Sequence, residues 1–109
     1  MKVKELIAQT NWQVLTKLDL NQDINGCFVG DLLSFVMGNG EVNNVWVTIQ
    51  GHINVVAVAA LKEFSCVIIC EKIAIPKGVI AKAEAEKVIL ISCELPVFDC
   101  VKKLIQLGV

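Results

Sequence analysis

The chain's single histidine, His52, is the side chain best suited to proton transfer or hydrogen-bond switching near neutral pH. It stands in a polar loop, Gln50-Gly-His-Ile-Asn54, between a β-branched run (Val45-Trp-Val-Thr-Ile49) and a stretch with helical spacing (Asn54 to Lys62). Amide and imidazole groups at the start of a helix, whose first N–H groups have no intrahelical partner, suit an anion or a polar ligand. Both side chains also have a local use, His52 as a loop residue that caps or hydrogen-bonds to its neighbours and Asn54 as the helix N-cap. A second polar point is Gly30-Asp31, where Asp31 either caps a short helix running through Met37 or sits just inside its positive end. The candidate ligand-binding set is therefore Gln50, Gly51, His52, Asn54, Gly30 and Asp31, with no catalytic residue and no metal ligand among the candidates.

The remaining reactive residues do not assemble into a template. Glu71-Lys72 and Cys93-Glu94 follow two further β-branched runs and read as a solvated strand end and a helix entry. Five cysteines (Cys27, Cys66, Cys70, Cys93 and Cys100) form an odd set without a C-x-x-C pair, which is not a zinc pattern. Cys66 and Cys70 share a strand face but lie about 13 Å apart at ~3.3 Å per residue, too far for a common disulfide or metal. The cysteines read as free thiols that pack as small hydrophobes in a reducing cytosol. Cys27, beside Gly26, has no neighbouring base or cation to activate it. A Walker A loop, a G-x-G-x-x-G turn after a strand, a G-x-S-x-G elbow and an H-E-x-x-H helix are all absent. An enzyme is disfavoured, and no cofactor is expected.

The elements that must carry these residues follow from periodicity. Val45–Ile49, Cys66–Cys70 and Val88–Ser92 are continuous apolar runs of strand length. Between them, Asn54–Lys62 and Lys77–Lys87 carry helix formers, and Pro96–Leu107 places Phe98, Val101, Leu104 and Ile105 on one helical face. Apolar strands alternating with helices predict an α/β fold: three consecutive β-α units forming a mostly parallel sheet flanked by helices, with right-handed crossovers. The front half is less regular, with a helix over Val3–Gln9, short extended pieces at Trp12–Leu15 and Asp23–Val29, and a loop from Asn39 to Asn44 after the stop at Gly38-Asn39-Gly40. A length of 109 residues provides one core, so residues 1–109 form a single domain.

Composition narrows the partners. Ten lysines balance eleven acidic residues to a net charge of −1, and there is no arginine, so a nucleic-acid footprint is missing. The most apolar stretch, Ile53 to Cys70, is interrupted by Lys62-Glu63, and the start lacks an apolar leader segment, which predicts a cytoplasmic protein with no membrane contact. Hydrophobic residues make up 55% of the chain and charged ones 19%, an excess of apolar surface that a partner subunit would bury.

The stretch Gly26-Cys-Phe-Val-Gly-Asp-Leu-Leu-Ser34, followed by Val45-Trp-Val-Thr-Ile-Gln50 and Asn54-Val-Val-Ala-Val-Ala59, resembles the DRTGG domain family over nearly the whole chain. The resemblance implies a fold similar to the N-terminal domain of HPr kinase/phosphorylase. It also implies an accessory role, since small members of this kind are encoded beside iron-hydrogenase and serine-kinase-like genes. Of the signature that names the family only Gly26 is kept; Asn21, Gln22, Asn25 and Cys27 stand at the other positions that the alignment gives. The expectation is a noncatalytic regulatory or ligand-sensing domain, acting as a homodimer and binding a nucleotide-like small molecule. The alternative is an adaptor subunit that docks onto a larger, possibly redox, enzyme.

Overall fold

In the computed structural model, which describes residues 1–109, four strands run parallel and lie side by side in chain order. After helix α1 (Val3–Ala8) and the short β1 (Gln13–Val14) come β2 (Cys27–Val29), α2 (Leu33–Asn39), β3 (Val45–Thr48), α3 (Ile53–Lys62), β4 (Cys66–Ile69), α4 (Lys77–Ala85), β5 (Leu90–Ser92) and α5 (Val97–Gln106). The sheet order is β1-β5-β4-β3-β2, with β1 antiparallel to β5 and every other pair parallel. The α/β architecture expected from the alternating runs is the one observed, enlarged by a fourth parallel strand, β2, and an antiparallel edge, β1.

Strand periodicity divides the core in two. Val45 and Val47 of β3, Cys66, Ile68 and Cys70 of and just past β4, and Ile89, Ile91 and Cys93 around β5 all face α1 and α5, where they meet Val3, Leu6, Cys100 and Leu104. Trp46, Val67, Ile69 and Leu90 face the other way, against Val36 of α2, Val55, Val56 and Ala59 of α3, and Val79 and Ala83 of α4. Because both faces are covered, β3 and β4 are buried at every position and need no polar alternation. Trp46 anchors the second layer: it is fully buried, packs on Phe64 with ring centroids 5.6 Å apart, and donates its indole N–H to the Gly30 carbonyl at 2.9 Å. Gly40 is required beside it, since a Cβ there would sit 2.4 Å from the Phe64 ring.

The front half is shorter in regular structure than its composition predicts. Only Gln13–Val14 of the Trp12–Leu15 piece and Cys27–Val29 of the Asp23–Val29 piece form strand, and Asp23 makes an isolated bridge with Lys2 instead. Backbone bonds from Val3 N–H to the Gln22 carbonyl and from Ile24 N–H to the Met1 carbonyl, with the Lys2–Asp23 ion pair at 2.9 Å, hold that segment against α1. The helix after Gly30 starts at Leu33 rather than at Asp31 and continues through Gly38 to Asn39, so Gly40, not Gly38, is its stop. No helix is long and apolar enough to cross a membrane.

Replacing Trp46 with Ala removes a fully buried ring and its bond to Gly30. A loss of about 3–5 kcal/mol in unfolding free energy is expected from equilibrium urea titration followed by far-ultraviolet circular dichroism.

Candidate functional site

The polar residues singled out in the sequence gather at the carboxyl ends of β2 and β3, where loops converge in open parallel sheets. Asp31, two residues beyond β2, accepts the Thr48 hydroxyl at 2.7 Å and the Ile49 N–H at 3.0 Å on one carboxylate oxygen. Thr48 in turn accepts the Gln50 N–H at 3.2 Å, and the Gln50 side-chain amide donates back to the Asp31 carbonyl. The β2–α2 and β3–α3 loops are thus clasped to one another by a carboxylate, a hydroxyl and an amide. Asp31 is not an N-cap: the Leu32 position that precedes α2 has no side-chain cap, because the Asp31 carboxylate is taken by β3.

His52, not Asn54, caps α3. Its Nδ1 accepts the Asn54 N–H at 3.1 Å, which places Asn54 inside the first turn with an exposed side chain. An acceptor at Nδ1 requires the neutral imidazole with its proton on Nε2. Gly51 supports the turn by close approach: a Cβ there would lie 2.6 Å from Ile75 Cδ1 and 3.4 Å from Ile73, so the β4–α4 loop rests on it. Gly30, Asp31, Gln50, Gly51, His52 and Asn54 therefore form one neighbourhood, with Thr48 as the member that sequence reasoning missed. The signal for Thr48 was its position as the one hydroxyl within an otherwise apolar strand.

Two further features lie at the ends of β4 and β5. A groove of about 310 Å³ is lined by Asn11, Trp12, Gln13, Ser92, Glu94 and Leu95, next to β1. In the second feature the sulfurs of Cys70, Cys93 and Cys100 come within 4.8 Å of one another, all three residues fully buried. Register explains the convergence. Ile69 pairs with Ser92, so Cys70 and Cys93 are the next residues of adjacent parallel strands, on the face that α5 covers with Cys100. Sequence spacing gave no sign of a shared centre because the three thiols come from three elements. Cys66 is at the other end of β4, and the reading that it shares nothing with Cys70 agrees with this placement.

The three neighbouring thiols perturb one another's ionisation. The adjacent Cys100 and Cys70 thiols, with the nearby Leu95 backbone, lower Cys93 below the usual thiol range against the effect of burial. Cys100 is raised, first by the adjacent Cys70 and Cys93 thiols and then by burial. For Cys70 the neighbouring Cys100 thiol favours the thiolate, but the neighbouring Cys93 thiol, burial and the charges of Cys93 and Glu71 outweigh it and push it up to about 12. Cys27, surface-exposed yet partly shielded from water, is pushed up to about 11, and the fully buried Cys66 to about 12, in both cases chiefly by lost solvation. A nucleophilic role for Cys27 has no support in this environment. Glu71-Lys72 is a strand end with both residues in the left-handed backbone region, and Lys72 pairs only at 3.9 Å with Glu94.

No protein-family model matches the chain, and no curated protein shows significant similarity to it.

Two substitutions test the clasp and the cap. Asp31→Ala is expected to cost about 1–2 kcal/mol, since it leaves the Thr48 hydroxyl and the Ile49 N–H without their acceptor. His52→Ala is expected to cost about 1 kcal/mol while His52→Ser retains most of the stability, and thermal unfolding at neutral pH compares them.

Proposed function

We propose that this chain is a noncatalytic, cytoplasmic regulatory domain of the DRTGG kind, which senses a nucleotide-like small molecule as a homodimer. The observation that carries the reading is the Asp31–Thr48–Gln50 clasp at the carboxyl ends of β2 and β3. It leaves one Asp31 carboxylate oxygen, Oδ2, with no protein partner, and it fixes the loop that leads into α3. A free carboxylate oxygen accepts from ligand hydroxyl or amino groups, while the helix start favours an anionic group; a ribose phosphate combines both. The site contains a carboxylate and an imidazole, but the imidazole is occupied as a cap and the carboxylate as a loop clasp, which supports binding over catalysis.

The homodimer is proposed through the free edge of β2, where Val29, Leu32 and Phe35 are 47%, 68% and 56% exposed. An edge strand offers unpaired backbone groups to a second strand, and three large apolar residues beside it supply area for a second copy to bury. The same patch supports the second reading, an adaptor that docks onto a larger enzyme.

Native mass spectrometry of protein purified without added ligand tests both halves. A dimer retaining a nucleotide-sized adduct is the expected result, and addition of that compound should shift amide resonances of Gly30, Asp31 and Gln50 to Asn54. Unchanged resonances there at saturation would remove the site from consideration. Phe35→Asp is expected to convert the dimer to an 11.9 kDa monomer in sedimentation velocity without loss of helical signal. A wild-type chain that sediments only as monomer at micromolar concentration would refute self-association, and a stoichiometric enzyme partner in native lysate would favour the adaptor.

A further inference from the structure

We propose that Cys70, Cys93 and Cys100 form a three-sulfur binding site for a soft monovalent metal ion, copper(I). This site is separate from the loops of the sensing reading and does not depend on that reading.

Donor type, number and burial together point to this ion. The three sulfurs lie within 4.8 Å of one another and no histidine, carboxylate or further thiol joins the group. Thiolate donors select copper(I), zinc and iron–sulfur clusters over hard cations. Protein-bound zinc is almost always four-coordinate in its structural sites, and iron–sulfur clusters are held by four protein ligands. Here a fourth protein donor is missing, and all three residues have zero exposure, which leaves bulk water no place in the coordination shell. Copper(I), a closed-shell ion without a strong demand for four ligands, is satisfied by three sulfurs or two. Metal–sulfur bonds of about 2.3 Å in a trigonal plane need sulfurs about 4.0 Å apart, so side-chain rotations of less than about 1 Å close the site around an ion.

The surroundings fit the same ion. Cys70 and Cys93 are fixed by the sheet: the Cys70 N–H donates to the Thr48 carbonyl at 2.9 Å and the Cys93 N–H to the Ile69 carbonyl at 3.0 Å. Two donors are thereby held by the ladder and the third by α5, a rigid placement that selects for geometry. On binding, each coordinating thiol gives its proton to solvent and becomes a thiolate ligand; copper remains in the +1 state and no electrons are transferred.

The test is an anaerobic titration of the reduced, metal-free full chain with copper(I) in the presence of a chromophoric copper(I) chelator, followed by X-ray absorption at the copper edge. One copper per chain withheld from the chelator, with sulfur-only coordination, is expected. Cys93→Ala and Cys100→Ala should each weaken retention by more than about 100-fold, beyond the range of outer-shell changes. Cys27→Ala, which removes the exposed thiol on β2, and Cys66→Ala should retain copper as the wild type does. Complete loss of copper to the chelator from wild-type protein would overturn the proposal. So would retention that survives Cys93→Ala but not Cys27→Ala, or nitrogen and oxygen scatterers in the first shell. If the alanine variants lose their native circular dichroism, the wild-type stoichiometry and absorption edge decide the question alone.

Discussion

The constraint on which the structure depends is the direction of its crossovers. From β2 through β5 each strand is added to the same side of its predecessor, and right-handed connections that all step one way must all pass over one face. Helices α2, α3 and α4 therefore cover one side only, and the other side of an equally apolar sheet is left for the chain ends to close. The six-residue α1, too short to be stable alone, owes its place to Val3 and Leu6 in that second layer, and α5 contributes Cys100 and Leu104. Burial on both faces, the feature that makes the strands uniformly hydrophobic, is also what makes both terminal helices obligatory.

This architecture was legible to the extent that local pattern determines it. The runs around Val45, Cys66 and Leu90 are too apolar for a half-exposed sheet, and the helical stretches between them leave parallel pairing as the natural result. β1 and β2 were less legible because they are short edge segments whose extent is set by tertiary pairing: Leu15 N–H bonds to the Leu90 carbonyl, and Asp23 is diverted to Lys2. The polar loops were found from their amide, imidazole and carboxylate groups at helix starts. Roles within them were not, since Asp31 had two possible acceptor tasks, capping its own helix or bonding across to β3, and only the relative height of two strands decides between them. The same applies to the α3 cap, where His52 and Asn54 are both competent and the actual helix start selects His52.

The thiols illustrate a limit of a different kind. A linear motif reports ligands that share one element, whereas Cys70 and Cys93 are neighbours through strand register and Cys100 reaches them across a helix. The information was present in distributed form. Cys70 and Cys93 each end an apolar run, on the parity of inward Ile68 and Ile91, and Cys100 lies four residues before the buried Leu104 on the inner face of α5. Reading it requires the strand pairing first, which is why spacing alone pointed to unrelated buried cysteines.

The two polar centres meet in the β4–α4 loop. Cys70 directly follows β4, and the next residues, Glu71 and Lys72, take left-handed backbone conformations with φ of 68° and 56°, which L-residues adopt at a cost. That bend is held by the bond from the Glu71 N–H to the Leu95 carbonyl at 3.1 Å, in the β5–α5 connection that also carries the Cys93 neighbour Leu95. The loop then lays Ile73 and Ile75 over Gly51, in the turn that His52 caps. One strained segment is thus fastened at one end to the elements that carry the sulfurs and at the other to the loops that carry Gln50 and His52. Its conformation is set from both sides, and the absence of a side chain at Gly51 is what permits the contact between them.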